Sequence, residues 1–380
     1  MIIFVEKKLF KEGNRKTRNK EQGTNNKKMR KKKIRIKDIA KLAGVSTGTV
    51  DRVLHNRGNV SESARKAVEK VLEQVDYKPN IHISGMSLKK KYHIIITTPT
   101  VSKGEYWESI HTGIQRALDE YENINVNCLI HTYNQYDIYS CRETFKEILE
   151  IPTDALIIGP TFKKETIYLT SELDKKSIPY IFVDSMVEQT SPLAFFSSNH
   201  YTCGYLMCKL VTAIMRNPSD IGILQAVRIG DKSANTTILR KNGFDNYLKE
   251  KKLTNKVYRI PFSVLEPEKN DDLLSDFFHK HTDIGGIVVL NSRGNLIANY
   301  LAKNNINDIK LVCIDLTTPN IKALKNEYID FLIGQNPERQ GFMAMKTLIE
   351  FLIYRNPIQV ENYMPLDILT KETIDYYQEF

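Results

Sequence analysis

The stretch Ile36–Leu54, IKDIAKLAGVSTGTVDRVL, constrains this chain more than any other. Ile36, Ile39, Ala40, Leu42 and Ala43 recur at helical spacing and predict a short helix with an apolar stripe. Gly44 follows where a helix exit needs positive φ. Val45 can bury beneath the turn, and Ser46 stands where a hydroxyl caps the next helix. Val50, Val53 and Leu54 give that second helix its inner face. Thr47, Gly48, Asp51, Arg52 and His55 are left pointing outward, the layout by which a helix-turn-helix reads a major groove. Spacing alone also fits an ordinary helical hairpin. A third helix, Val60–Lys78, is capped by Ser61, apolar at Ala64, Val68, Val71, Leu72 and Val75, and stopped by Pro79.

Charge separates this head from the rest. Residues 1–91 hold 25 Lys and Arg against 9 Asp and Glu, a net +16, whereas the remainder holds 30 against 36, a net −6. A basic head on a mildly acidic body predicts a polyanionic partner, double-stranded DNA, for the head alone. Residues 1–33 offer almost nothing to bury and are expected to be disordered. Two readings of them stand: a basic tail, or a true start at Met29. MIIFVEKKLF is too short in apolar residues for a secretory leader, and no run approaches the roughly 20 residues of a membrane span. Cys128, Cys141, Cys203, Cys208 and Cys313 are odd in number and lack CxxC spacing, which argues for reduced thiols in a cytoplasm and against a metal site. Cys203 and Cys208 read as small core residues of a helix. No cofactor is expected.

The long body alternates β-rich apolar runs with amphipathic helices. The runs are His93–Thr98, Val126–Thr132, Ala155–Gly159, Tyr180–Asp184, Ile221–Gln225, Gly286–Leu290 and Lys310–Asp315. The helices include Tyr106–Glu122, Asp137–Glu150, one near Asn199–Val211, and Ser233–Lys249. Such alternation predicts an α/β fold of parallel sheets with helices on both faces. Gly285-Gly286 reads as a strand-entry turn. Nothing matches a nucleophile elbow, a metal cluster or a phosphate-binding glycine loop, so an enzyme is not expected. A carbohydrate hydrolase using Asp184 and Asp315 as an acid–base pair is the rival in that class.

The chain resembles the lactose-repressor (LacI/GalR) family of bacterial transcription regulators. The carrying residues are Asp38-Ile39-Ala40, Ala43-Gly44-Val45-Ser46, Thr49-Val50, Arg52-Val53-Leu54, Asn59-Val60-Ser61 and Tyr77-Lys78-Pro79-Asn80. The resemblance implies a disordered tail (1–33), an all-α DNA-binding head (34–79), a hinge (80–91) and an effector domain (92–380). That domain would have a periplasmic-binding-protein-like fold of two lobes joined by three crossings. It implies a homodimer on a pseudo-palindromic operator, with a small effector in the cleft shifting affinity for DNA. The end, Ile374-Asp375-Tyr376-Tyr377, shows no leucine heptad, so no tetramerisation tail is expected. A transporter's solute-binding protein shares the lobed fold but would lack the basic head.

On the DNA side the resemblance points to Thr47, Gly48, Thr49, Arg52 and His55, with Asn59 and Ser61 on backbone phosphates. Gly48 departs from members that read a base there, so reading leans on Thr47, Arg52, His55 and Asp51. The family inserts a hinge leucine into the minor groove. Counted from Pro79 that position is Met86, with Leu88 two further on, and Met86 keeps the spacing. In the body, polar residues at strand ends are the effector candidates, because ligands of such sheets bind beyond the carboxyl ends of the strands. They are Asp184, Asn291, Asp315 and Gln335, with Arg240 in the family's Arg-x-x-Gly-aromatic pattern. Tyr106 and Trp107 offer flat faces for a sugar ring. Carboxylates, amides and a guanidinium together suit a polyhydroxylated ligand. A purine or a phosphosugar is the alternative. Each residue also has a plainer role: the aspartates as turn caps, Arg240 in an ion pair, Trp107 as core.

Overall fold

A computed structural model describes residues 36–54, 60–74, 90–122, 124–226, 229, 235–263, 266–355 and 357–377. The tail 1–33, His55, Asn59, the hinge from Asn80 to Lys89 with Met86 and Leu88, and Ser233 lie outside them. The chain divides into two units, Met1–Pro79 and Asn80–Phe380.

The head contains three helices, α1 (Ile36–Ala43), α2 (Thr47–Leu54) and α3 (Glu62–Gln74). Their core is Ile39, Ala40, Val50, Val53, Val68 and Val71, with Ile36, Ala43, Val45 and Leu54 packed against it. Leu42 is a correction: it is 64% exposed. The stripe runs 36, 39, 40, 43, the i, i+3, i+4, i+7 positions of one helix face, and residue 42 falls outside it. Gly44 has φ 67°, and Val45 N–H donates to Ala40 O at 3.0 Å across the turn. Ser46 Oγ accepts from Thr49 N–H at 3.1 Å, the N-cap bond that opens α2. Ser46→Ala is expected to cost the head about 1 kcal/mol. Faster amide exchange confined to the start of α2 would report it, and unchanged exchange would refute it.

The body holds two parallel sheets, one per lobe. The first lobe runs β1 (Tyr92–Pro99), α4 (Tyr106–Glu120), β2 (Val126–Tyr133), α5 (Ile138–Glu150), β3 (Ala155–Ile158), α6 (Lys163–Lys175), β4 (Tyr180–Asp184) and β5 (Ala194–Ser198). The second runs α7 (His200–Ile214), β6 (Asp220–Ala226), α8 (Asn235–Glu250), β7 (Val257–Phe262) and α9 (Asn270–Lys280). It continues with β8 (Ile284–Val289), α10 (Gly294–Lys303), β9 (Lys310–Ile314), α11 (Thr318–Lys325) and β10 (Phe331–Gly334). The long helix α12 (Pro337–Tyr354) then returns to the first lobe, where β11 (Glu361–Met364) pairs with β5, and β12 (Asp367–Leu369) pairs antiparallel with β10. The chain therefore crosses between lobes at 198–200, 334–337 and 364–367, three times.

The sheet orders, β11-β5-β4-β3-β1-β2 and β12-β10-β9-β8-β6-β7, are the same arrangement written twice. Each sheet carries an apolar cluster on both faces, which is why its strands read as unbroken apolar runs rather than alternating ones. In both sheets the chain doubles back beside the first strand, so the carboxyl ends of the strands open onto one crevice. Gly285 and Gly286 correct the expectation of a turn, since both are buried inside β8. A Cβ on Gly285 would lie 2.5 Å from the Ser219 side chain, and one on Gly286 2.6 Å from Val211 of α7, so the strand is closely packed at both glycines. Gly159 falls just past the end of β3.

Candidate functional site

Between the two lobes lies a cavity of about 70 Å³. Tyr106, Trp107, Asp184, Arg240, Asn291, Asp315 and Gln335 all line it. The structure thus brings together in one place all seven effector candidates, drawn from segments as far apart as α4 and the β10–α12 crossing. Gln135, Tyr136, Thr161, Thr236, Thr237 and Ser292 also line the cavity, beside Ala226, and were not anticipated. Most follow strands β2, β3 or β8, so the strand-end rule applied evenly would have found them. Thr236 and Thr237 lie one helical turn before Arg240.

Symmetry between the lobes explains the two aspartates. Asp184 closes β4 and Asp315 follows β9, which hold the same place in their sheets. Both have left-handed backbones, φ 71° and 75°. Such a conformation costs a non-glycine residue about 1 kcal/mol or more and persists where surroundings impose it, often at functional sites. For Asp184 the surroundings are explicit. Its N–H donates to Gln340 Oε1 at 3.0 Å, and its carbonyl accepts from Ser197 Oγ at 2.5 Å.

Arg240 is 3% exposed and pairs with no carboxylate directly. Its Nη1 donates to Leu290 O at 2.8 Å, and its Nη2 reaches Gln335 Oε1 and His200 Nδ1, both at 3.0 Å. Asp315 accepts from Ser292 Oγ at 2.7 Å and from Gln335 Nε2 at 2.5 Å. Gln335 therefore sits between cation and anion, its oxygen on one and its amide on the other. The Tyr106 hydroxyl lies against the Asp184 carboxyl and shares a hydrogen bond with it, whereas Arg240 Nε, a buried polar atom of the cleft, has no hydrogen-bond partner. Buried polar groups are seldom left so, and a ligand is one resolution.

Burial raises the Asp184 carboxyl to about 6, against the downward pull of Arg240 and with a further push from Asp315. Asp315 is also raised, again by burial, with Arg240 opposing. Desolvation of the charged form outweighs attraction to one shared cation. Tyr106 is raised well above its ordinary value by burial and by the nearby Asp184 charge. Trp107 packs edge-on to Tyr106 at 5.3 Å and lies in the lobe's core, so it serves packing as well as the cleft wall. Asn291 commits its side-chain oxygen to Arg293 N–H at 3.0 Å, a local turn.

The Arg-x-x-Gly-aromatic pattern has a packing basis. Phe244 is wholly buried, and a Cβ on Gly243 would stand 1.8 Å from Tyr201 O. From the other side, a Cβ on Gly204 would stand 1.7 Å from Arg240 O. Helices α7 and α8 therefore touch backbone to backbone, which seats Arg240 at the cleft. Across the cleft mouth, Thr318 N–H donates to Gly104 O at 3.1 Å, and Arg293 pairs with Glu105 at 2.7 Å.

In the head, Thr47, Gly48 and Arg52 are exposed on α2, while Thr49 is half-buried and shares a 2.9 Å hydrogen bond with Ser46 Oγ. Ser61 Oγ accepts from Ala64 N–H at 3.4 Å, as a cap of α3. A Cβ on Gly48 would meet only Ser46 Oγ, at 3.8 Å.

Comparison with known proteins follows these two units. Residues 35–80 match the model of bacterial regulatory proteins of the lacI family, and residues 94–355 that of the periplasmic binding protein domain. The HTH-type transcriptional regulator MalR of Streptococcus pneumoniae is 22% identical, over 84% of this chain and 93% of its own. The sucrose operon repressor of Lactococcus lactis is 24% identical, over 78% of this chain and 89% of its own. A solved structure from Bacteroides fragilis, described as a LacI transcriptional regulator, is 33% identical with a TM-score of 0.72, covering 76% of this chain and 100% of that one. Among the described residues no helix is long and apolar enough to cross a membrane.

Proposed function

The chain belongs to the LacI family of DNA-binding transcription regulators, and from that premise we propose that a small polyhydroxylated effector, a monosaccharide or a derivative, binds the cleft and sets operator affinity. The observation that carries this is the trio Asp184, Arg240 and Asp315. It offers two buried carboxylates and one guanidinium, with the Arg240 Nε–H still unpartnered. A sugar hydroxyl needs both a donor and an acceptor once buried, and this wall supplies both. One lining cation against two carboxylates disfavours a phosphosugar. A purine could use the Tyr106 and Trp107 faces and is the second outcome of the test below. The sucrose operon repressor among the relatives supports a carbohydrate.

The same reading places a homodimer on a pseudo-palindromic operator, one head per half-site. Thr47 and Arg52, with His55, face base edges, while Asn59 and Ser61 meet phosphates. Met86 is the minor-groove wedge. In an operator-binding assay, Met86→Ala is expected to weaken binding more than Leu88→Ala; the reverse order would reassign the wedge.

A thermal-shift panel of sugars, sugar phosphates and nucleobases on the full chain tests the effector class. A ligand at 100 times its Kd adds about 2.7 kcal/mol of stability. A neutral sugar hit lost in Arg240→Ala supports the reading, and a hit confined to phosphates or purines replaces it.

The raised carboxyl at Asp184 adds a pH signature. Its stabilising share is fully present below about 4 and is lost as pH rises through about 6, because the folded state holds the proton longer. Hydroxyls that donate to the carboxylate favour its charged form. Effector affinity is therefore expected to strengthen as pH rises through about 6 and to lose this dependence in Asp184→Asn. Titration calorimetry from pH 5 to about 8 checks it, and an unchanged profile in the variant would remove Asp184 from the ligand's contacts.

A further inference from the structure

His200 is a buried titratable group that no part of the reading above uses. It is the first residue of α7, directly after the chain leaves β5 and crosses from the first lobe to the second, and it is 4% exposed. Its Nδ1 stands 3.0 Å from Arg240 Nη2, and its Nε2 2.7 Å from Asp184 O. A guanidinium can only donate, so Nδ1 must accept, and the ring proton must sit on Nε2, where it donates to the carbonyl. One tautomer alone fits both neighbours. We propose that His200 is the positioning residue of the effector cleft: as the neutral Nε2–H tautomer it ties the Arg240 guanidinium of the second lobe to the Asp184 strand end of the first.

The consequence follows from counting donors. Arg240 has five N–H groups, and bonds to Leu290 O, Gln335 Oε1 and His200 hold both Nη atoms in place. The Asp184 carbonyl likewise has both lone pairs used, by Ser197 Oγ and His200 Nε2. Removing the imidazole leaves a buried cationic donor and a buried carbonyl short of a partner on opposite sides of the cleft. Burial, and then the Arg240 charge, hold the imidazole well below its ordinary range, which agrees with a ring that stays neutral. Ser197 Oγ, at 3.4 Å, completes the polar surroundings.

The inference rests on the effector reading of the cleft, but its first test needs no effector. In the full chain labelled at histidine nitrogen, long-range proton–nitrogen spectra separate the tautomers, and the signals lost in His200→Gln identify the residue. A neutral ring protonated at Nε2 at neutral pH is expected; protonation at Nδ1, or an imidazolium, overturns the proposal whatever the ligand is. The second test uses the sugar found by the panel. His200→Phe keeps the volume but neither accepts nor donates, and should weaken that sugar by about tenfold or more. His200→Gln, whose amide can accept from the guanidinium and donate to the carbonyl, should restore most of the affinity. Wild-type affinity in a folded His200→Phe overturns the positioning role. If that variant does not fold, a His200→Gln chain that folds yet fails to bind the sugar overturns it equally.

Discussion

Arg240→Ala is expected to abolish effector binding and to destabilise the body by about 1–3 kcal/mol, the cost of leaving buried hydrogen-bonding partners unsatisfied. Arg240 is the cation that opposes the upward pressure on both Asp184 and Asp315. Without it the two carboxyls lose the charge that opposes their rise and are driven further toward protonation. Leu290 O, Gln335 Oε1 and His200 Nδ1 lose a donor at the same time. Arg240→Lys should recover only part of this, because an ammonium cannot fork between His200 and Gln335 while also reaching Leu290 O. Urea unfolding with and without the panel's ligand separates the two effects. Near wild-type affinity in the alanine variant would remove the guanidinium from the site.

The second large effect belongs to a residue that touches no ligand. Gly243→Ala would place a methyl 1.8 Å from Tyr201 O, a backbone atom that cannot rotate away. Helices α7 and α8 must separate, at a cost of about 1–3 kcal/mol or more for overpacking. Arg240, one turn earlier on α8, then moves off the cleft with its helix. The expected result is a lower urea midpoint together with weaker effector binding. Gly48→Ala is the control in the head: α2 has open space there, so alanine should be neutral or stabilising by up to about 1 kcal/mol through helix propensity. Equal losses in the two variants would mean that backbone conformation, not helix contact, decides both.

Much of this was legible from the sequence, and for local reasons. Gly44 and Ser46 act within a few residues of themselves, so the φ of 67° and the cap bond to Thr49 N–H follow from their chemistry. Apolar runs separated by amphipathic helices point to buried parallel strands wherever the chain places them, and Ala155–Ile158, Tyr180–Asp184 and Lys310–Ile314 appear as expected. The strands Ala194–Ser198, Val257–Phe262, Phe331–Gly334, Glu361–Met364 and Asp367–Leu369 were not read; the last two lie at sheet edges, where Glu361, Asn362 and Asp367 interrupt the apolar pattern. Leu42 was misplaced because helical spacing was applied to a run of apolar residues instead of to a single face.

The sequence by itself determined the three-helix head with its outward residues, the charge split between head and body, the doubled α/β body, and the strand-end polar residues. Each depends on neighbours within about one helical turn or one strand, where propensity and periodicity act. Only the tertiary structure decided which of those residues meet. Asp184 and Asp315 become a pair because the sheets repeat one topology and face each other. His200 joins them because the first crossing happens to end between Arg240 and Asp184. Gly204 and Gly243 matter because two helices press together there. Contacts between segments many tens of residues apart follow from packing the whole chain, and no local pattern encodes them.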